Sequence, residues 1–286
     1  MEIIDSIARM RERSRELIRS GKKIAFVPTM GFLHEGHLEL MRIGKKRADV
    51  LVVSIFVNPT QFAPNEDFDE YPRDTEGDLA KAKETGVDIV FMPDVQDMYS
   101  EDFQTVVSVE KVTKYLCGLS RPHFFDGVAT VVAKLFNIVC PDIAVFGQKD
   151  FQQLTVVQRM VKDLDMGIEI IMAPIVREPD GLAMSSRNKY LNPEERKSAL
   201  CLKESIDMAV KMVNEGETES GKIISAIKQL IMARPFTEID YVNICDLLTM
   251  EDSEIIEGES LLALAVKVGV TRLIDNTILK PKFIGK

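Results

Sequence analysis

The sequence predicts an α/β protein, with a doubly wound parallel sheet in its larger N-terminal part and a smaller α+β region after it. Three observations carry this reading. Short β-branched runs alternate with helix-patterned stretches through the first half, and strand, helix, strand at that spacing implies parallel pairing with helical crossovers. One of the runs, Val50 to Val57 (VLVVSIFV), is apolar on both faces, as suits a strand covered by helices on each side. The alternation stops after Pro174.

In chain order, residues 1–21 (MEIIDSIARMRERSRELIRSG) read as an amphipathic helix, without the continuous apolar core of a signal peptide. Lys23 to Val27 is the first strand, followed by a Pro-Thr-Met-Gly turn and a helix from about Glu35. Val50 to Val57 is the second strand, and others are expected at Asp88 to Met92, Asp142 to Phe146 and Ile168 to Met172. Thr75 to Thr85 and Gly127 to Val139 read as helices between them. Next comes Arg177-Glu178-Pro179-Asp180-Gly181, whose Pro-Asp-Gly is strong turn chemistry. Asn192-Pro193-Glu194-Glu195 has the order of a helix start, with Asn at the cap, Pro first and Glu third. Helices over roughly Pro193 to Asn214 and Glu219 to Ala233 are then followed by strands at Ile239 to Ile244 and Leu261 to Val268. A boundary near Ile175 gives two domains, 1–175 and 176–286.

Bulk properties narrow the function. At 286 residues, 45% hydrophobic and 28% charged, the chain has the make-up of a folded globular protein. A formal net charge of −9 argues against a nucleic-acid backbone as main partner, which needs clustered Lys and Arg. No apolar run approaches a membrane span. The cysteines, Cys117, Cys140, Cys201 and Cys245, include no CxxC pair and suggest neither a disulfide framework nor a zinc site. Cys140 and Cys245 lie in apolar contexts and read as small buried hydrophobes. A reducing, cytoplasmic setting is expected.

Parallel sheets bind ligands beyond the carboxyl ends of their strands, and four segments fall there or in the turn after the last strand. The first, Pro28 to His37, leaves the first strand and enters a helix, and it holds two of the chain's 3 histidines, His34 and His37. A helix start offers free N–H groups and partial positive charge to a phosphate, and the histidines could add charge-assisted hydrogen bonds. As a metal pair, His34 and His37 lack a nearby third ligand, and HEGH is one residue short of HExxH. As a P-loop, the Gly31 to Gly36 spacing fails, because His37 and Leu38 stand where Lys and Ser or Thr are needed. Two ordinary histidines remain an alternative. The second segment, Asn58-Pro59-Thr60-Gln61-Phe62, has amides suited to a small polar substrate, or is simply a turn. In the third, Phe146 to Gln153, Lys149 suits a phosphate, while Asp150 with Gln153 is equally a capping box. The fourth, Met184-Ser185-Ser186-Arg187-Asn188, pairs hydroxyls with Arg as a phosphate clamp.

The HxGH turn and the later Met-Ser-Ser-Arg loop resemble the nucleotidyltransferase superfamily, which includes the class I aminoacyl-tRNA synthetases. The longer strings PTMGFLHEGH, FVNPTQF, YPRD, PDIAVFGQKDFQQL and GLAMSSRN, in dense blocks from about Lys23 to Asn192, resemble the pantothenate synthetase (pantoate–β-alanine ligase) family. The resemblance implies a Rossmann-like fold and ATP-dependent condensation of (R)-pantoate with β-alanine through a pantoyl-adenylate, with AMP and pyrophosphate released.

It implies ATP contacts at Met30, Gly31, Phe32, Leu33, His34, Glu35, Gly36 and His37, at Gly147, Gln148, Lys149 and Asp150, and at Val176, Met184, Ser185, Ser186 and Arg187. It places pantoate on Gln61 and Gln153 and β-alanine on Gln61, and makes His37 a proton donor with His34 beside it. Lys149, Ser185 and Arg187 then carry catalytic electrostatics, Asn58 and Tyr71 line the site, and Arg121 falls near the pyrophosphate or β-alanine region. Mg²⁺ arrives on the ATP phosphates with no side-chain ligand assigned, the assembly is a homodimer, and the second domain acts as a lid. One departure is visible: the family commonly reads Arg-Pro-Gly-His-Phe where this chain has Arg121-Pro122-His123-Phe124-Phe125. No role is carried onto His123. The alternatives are a nucleotidyltransferase of this fold with another small substrate, and a non-catalytic nucleotide-binding domain.

Overall fold

The computed structural model describes residues 1–63 and 68–281. Two compact units emerge: Met1–Glu110 with Arg121–Pro174, and Lys111–Ser120 with Ile175–Lys286.

The first unit is built from β1 (Glu2–Ile4), α1 (Ile7–Arg19), β2 (Ile24–Thr29), α2 (Glu35–Arg47), β3 (Val50–Ile55), α3 (Thr75–Glu84), β4 (Ile89–Phe91) and α4 (Val95–Met98). The short α5 (Cys117–Ser120) belongs to the second unit; the first resumes with α6 (Phe124–Val139), β5 (Ile143–Gly147), α7 (Phe151–Asp163) and β6 (Glu169–Ala173). Its six strands run in the order β1-β4-β3-β2-β5-β6, and every pairing is parallel. Alternate residues of β2 serve opposite faces. Ala25 and Val27 join Met41, Ala82 and Val145 in one core. Phe26 meets Phe136 of α6 edge-on at 6.3 Å, and Phe136 meets Phe146 at 6.4 Å. α2 lies close on the sheet at Gly44, where an added Cβ would stand 3.0 Å from Leu51 Cδ1.

The start of the chain differs from expectation. Residues 2–4 are an edge strand beside β4 (Ile3↔Val90), and the helix begins only after Ser6, whose side chain accepts from Arg9 N at 3.4 Å. The β-branched Ile3-Ile4 pair favours extension, and Ser6 caps the helix after it.

The second unit contains α8 (Pro193–Ala199), α9 (Cys201–Asn214), α10 (Ser220–Met232), β7 (Thr237–Asp246), β8 (Ser260–Val268) and β9 (Thr271–Leu279), with an antiparallel sheet β7-β8-β9. Asn192 caps α8, accepting from Glu194 N and Glu195 N while Glu195 reaches back, so the expected capping box is present. The single helix expected over 193–214 is two, meeting at Leu200 (φ −63, ψ −17), a conformation nearer 3₁₀ than α. Leu262, Leu264, Val266 and Val268 turn one face of β8 into a core with Ile206, Val213, Ile223, Ile227 and Ile231.

Two features were missed in the sequence. β9 carries Asp275 and Asn276 in its middle, which hides its alternation, yet Asp275 is buried and paired with Arg177 at 2.7 Å. Segment 111–120 joins this unit rather than the first, held by Ser120 Oγ donating to Asp240 at 2.6 Å and by Tyr115 to Glu251 at 3.4 Å. Cys245 is buried as expected, but Cys140 is exposed: it ends α6 in a left-handed conformation (φ 50). Among the described residues, no helix is long and apolar enough to cross a membrane.

Candidate active site

β2 continues to β3 on one side and β5 to β6 on the other, while β2 and β5 are neighbours (Ala25↔Ile143, Phe26↔Ala144). This is the sheet's switch point, and the crevice beyond the carboxyl ends of such a pair is where doubly wound folds bind ligands. Residues 30–37 leave β2 there and residues 147–150 leave β5.

The turn after β2 is left-handed at two consecutive residues, Gly31 (φ 82) and Phe32 (φ 50). A Cβ on Gly31 would lie 2.9 Å from Asp78 Oδ2. Asp78, buried on α3, explains how the turn is held: its carboxylate accepts from Phe32 N and Leu33 N, each at 2.7 Å. One helical turn on, Lys81 Nζ donates to Leu33 O at 2.9 Å. The N–H groups of Phe32 and Leu33, two of the residues expected to contact ATP, therefore already face an internal carboxylate. Sequence reading missed Asp78 and Lys81; their i, i+3 spacing on α3 was the available signal.

His34 caps α2 and His37 stands at its third position. Their rings lie 4.1 Å apart, and His34 N donates to His37 Nδ1 at 3.3 Å. An accepting Nδ1 leaves the ring proton on Nε2. Burial, then the nearness of His34, Lys149 and Lys81, holds His37 well below the ordinary 6.5 of imidazole. In the free protein His37 is thus a neutral Nε2–H donor, not the cation that charge-assisted bonding requires. Lys149 is thus one of the cations that disfavour a charged His37.

Asn58, buried in the loop beyond β3, donates from Nδ2 to Gly127 O at 3.1 Å and to Gln61 Oε1 at 3.2 Å. Gln61 Nε2 reaches Met30 Sδ at 2.8 Å, and Arg121 donates to Gln61 O at 3.1 Å. The Gln61 amide is thereby brought to the turn after β2. Tyr71 is buried against Phe62 at 5.9 Å. Asp150 begins α7 without a side-chain cap bond, so the capping-box reading of Asp150 and Gln153 does not hold. Gln153 is half-buried in the first turn of α7. His123 occupies a left-handed position (φ 68), a conformation that Gly adopts without strain, and Phe124 packs under Arg121 at 3.8 Å.

In the second unit, Val176 and Met184 close a small hairpin (Met184 N to Val176 O, 3.0 Å) around the Pro-Asp-Gly turn. Ser185 caps a short 3₁₀ helix, Ser186–Tyr190, accepting from Arg187 N at 3.3 Å, and Ser186 is buried. The segment is braced by residues sequence reading did not single out for the site. Asn188 donates to Glu178 at 2.6 Å, Arg196 binds Glu178 at 2.8 Å and Asp180 at 2.6 Å, and Arg177 forks onto Asp275 at 2.7 and 3.0 Å.

A parallel sheet with an HxGH helix start and a lysine turn at its switch point defines a nucleotide-binding α/β protein of the nucleotidyltransferase class. The pantoate-β-alanine ligase family model matches residues 2–278. The chain belongs to that family. It is 58% identical to a pantothenate synthetase of Desulfatibacillum aliphaticivorans, over 98% of this chain and 100% of that one. Among solved structures, a pantothenate synthetase from Thermus thermophilus superposes with a TM-score of 0.93 at 40% identity, covering 98% of this chain and 100% of that one. The pantoate-β-alanine ligase of Francisella tularensis, complexed with β-γ ATP and β-alanine, gives 0.80 at 32% identity, covering 97% of both.

Proposed function

We propose that this chain uses ATP to condense (R)-pantoate with β-alanine, through a pantoyl-adenylate, releasing AMP and pyrophosphate. The family match along residues 2–278 carries this reading, and the chemistry at the switch point agrees with it. ATP is assigned to residues 30–37 and 147–150, and in the second unit to Val176 and residues 184–187. Pantoate is assigned to Gln61 and Gln153, and β-alanine to Gln61.

Pantoate's carboxylate is ionised at neutral pH, so its attack on the α-phosphorus needs alignment and relief of repulsion rather than a base. Lys149 is assigned to the charge that shifts onto pyrophosphate, and His37 offers its Nε2–H; Ser185 and Arg187 of the second unit are assigned the same electrostatic role. A bound triphosphate offsets the repulsion from Lys149 and Lys81, which raises the His37 pKa toward that of a proton donor. Among the described residues, no three His, Cys, Asp or Glu side chains are grouped to hold a metal ion. Mg²⁺ is proposed to arrive on the ATP, held mainly by phosphate oxygens and water, where it would neutralise the departing charge. The protein is proposed to work in the cytoplasm as a homodimer, a mass that light scattering measures directly.

The test is incubation with ATP, Mg²⁺ and pantoate, with and without β-alanine, with products identified by mass spectrometry. Pantothenate and AMP formed only when both acids are present is the expected result. ADP and phosphate as products would mean an acyl-phosphate route and overturn the adenylate.

A further inference from the structure

The residue that fixes the Gln61 amide is itself fixed, and the holding group lies outside every assigned motif. Asn58 Oδ1 accepts three hydrogen bonds: from Thr60 N at 3.4 Å, Thr60 Oγ1 at 2.9 Å and Tyr99 Oη at 2.9 Å. Its Nδ2 faces two acceptors, Gly127 O at 3.1 Å and Gln61 Oε1 at 3.2 Å. A carbonyl on one side and a hydroxyl donor on the other permit a single orientation of this buried amide. The order passes to Gln61: its Oε1 is taken by Asn58, so the Nε2 amino group points away, against Met30 Sδ at 2.8 Å. That group carries two N–H bonds and one is enough for the sulfur, so Gln61 presents a donor rather than an acceptor.

Tyr99 is well built for this task. It ends α4, and its ring is wedged between Phe56 (6.4 Å) and Phe103 (5.0 Å), with the Lys134 ammonium 5.5 Å from its centroid. Burial pushes its phenol up, so the hydroxyl stays protonated and free to donate. Close approach of α6 completes the arrangement: a Cβ on Gly127 would lie 2.4 Å from Thr60 O and 2.9 Å from Gln61 N.

We infer that Tyr99 is a positioning residue for the acid substrate: acting through Asn58, it locks Gln61 with its amide N–H toward the ligand, selecting an oxygen acceptor such as the carboxylate or hydroxyl of a hydroxy acid. The inference rests on the proposed assignment of pantoate to Gln61. Because Tyr99 acts through Asn58, its effect belongs in substrate affinity.

A double-mutant cycle tests it. Wild type, Tyr99→Phe, Gln61→Ala and the double variant are compared for the KM of pantoate and of ATP, with melting temperature as a folding control. Where Gln61→Ala turns over too slowly, calorimetric pantoate affinity supplies the same cycle. Loss of one hydrogen bond in the chain should raise the pantoate KM of Tyr99→Phe about five- to tenfold while the ATP KM stays unchanged. On the Gln61→Ala background the same change should have no further effect. An unchanged pantoate KM in Tyr99→Phe, or an effect that persists in full without Gln61, overturns the positioning role while leaving the pantoate site in place. A Gln61→Ala variant with normal pantoate affinity removes the site assignment itself, and the inference with it.

Discussion

At the scale of the residue, His37 shows how far environment departs from residue type. A histidine at a helix N-terminus is conventionally read as a charge donor to phosphate. Here desolvation, followed by His34, Lys149 and Lys81, lowers its pKa, and an N–H from the backbone occupies Nδ1. The unfolded chain takes up a proton near 6.5 and the folded one only well below it. Stability from a neutral His37 is therefore fully present above 6.5 and lost as pH falls toward the folded pKa, by at most about 1.4 kcal/mol per pH unit. Urea unfolding at pH 7.5 and 5.5 checks this, with His37→Gln expected to lose less stability across that interval than wild type. The tautomer adds a second expectation. The Gln side chain places an N–H near the Nε2 position, whereas Asn reaches only as far as Nδ1. His37→Gln should keep more turnover than His37→Asn, which should lose about a hundredfold or more; equal losses in steady-state assays would remove the Nε2–H from the mechanism.

At the scale of the element, the turn between β2 and α2 is set from outside by α3. Asp78 satisfies two N–H groups of a left-handed turn, and Lys81 satisfies the carbonyl between that turn and the helix. Asp78→Asn leaves one oxygen for two donors and turns an amino group toward an N–H. It is expected to cost about 1–3 kcal/mol in chemical denaturation and to lower kcat with it. Cys140 offers a contrasting case. Its left-handed position at the end of α6 suits Gly, and Cys140→Gly should raise stability by about 1 kcal/mol, read as a higher melting temperature.

Elements with strong local signals were legible in sequence. The strand at Val50 is buried on both faces, and the Asn192-Pro193 helix start uses its own residues. Features that depend on distant partners were not legible. β9 hides behind the polar pair Asp275-Asn276, where the Asp275 charge is paired with Arg177, and segment 111–120 leaves the sequence neighbourhood in which it is written. The same division holds in the site. The turns bearing His34, His37 and Lys149 could be read from strand-to-helix junctions, whereas Asp78, Lys81 and Tyr99 act across long sequence separations, and the i, i+3 spacing of Asp78 and Lys81 is a weak local mark.

At the scale of the whole molecule, a chain with a net charge of −9 is proposed to assemble two anions, ATP and a carboxylate. The global field disfavours their approach, so binding depends on local positive groups such as Lys149 and on oriented N–H donors. Those groups are proposed to serve the first half of the reaction, in which no amine takes part. The halves are therefore separable. With ATP, Mg²⁺ and pantoate but no β-alanine, labelled pyrophosphate should exchange into ATP, because a pantoyl-adenylate would form reversibly. Omitting pantoate should abolish the exchange. Lys149→Ala should slow it about a hundred- to a thousandfold, the usual effect of removing one group that stabilises developing charge. Exchange that requires β-alanine would instead mean a concerted condensation, in which the amine is present before the α-phosphorus is attacked.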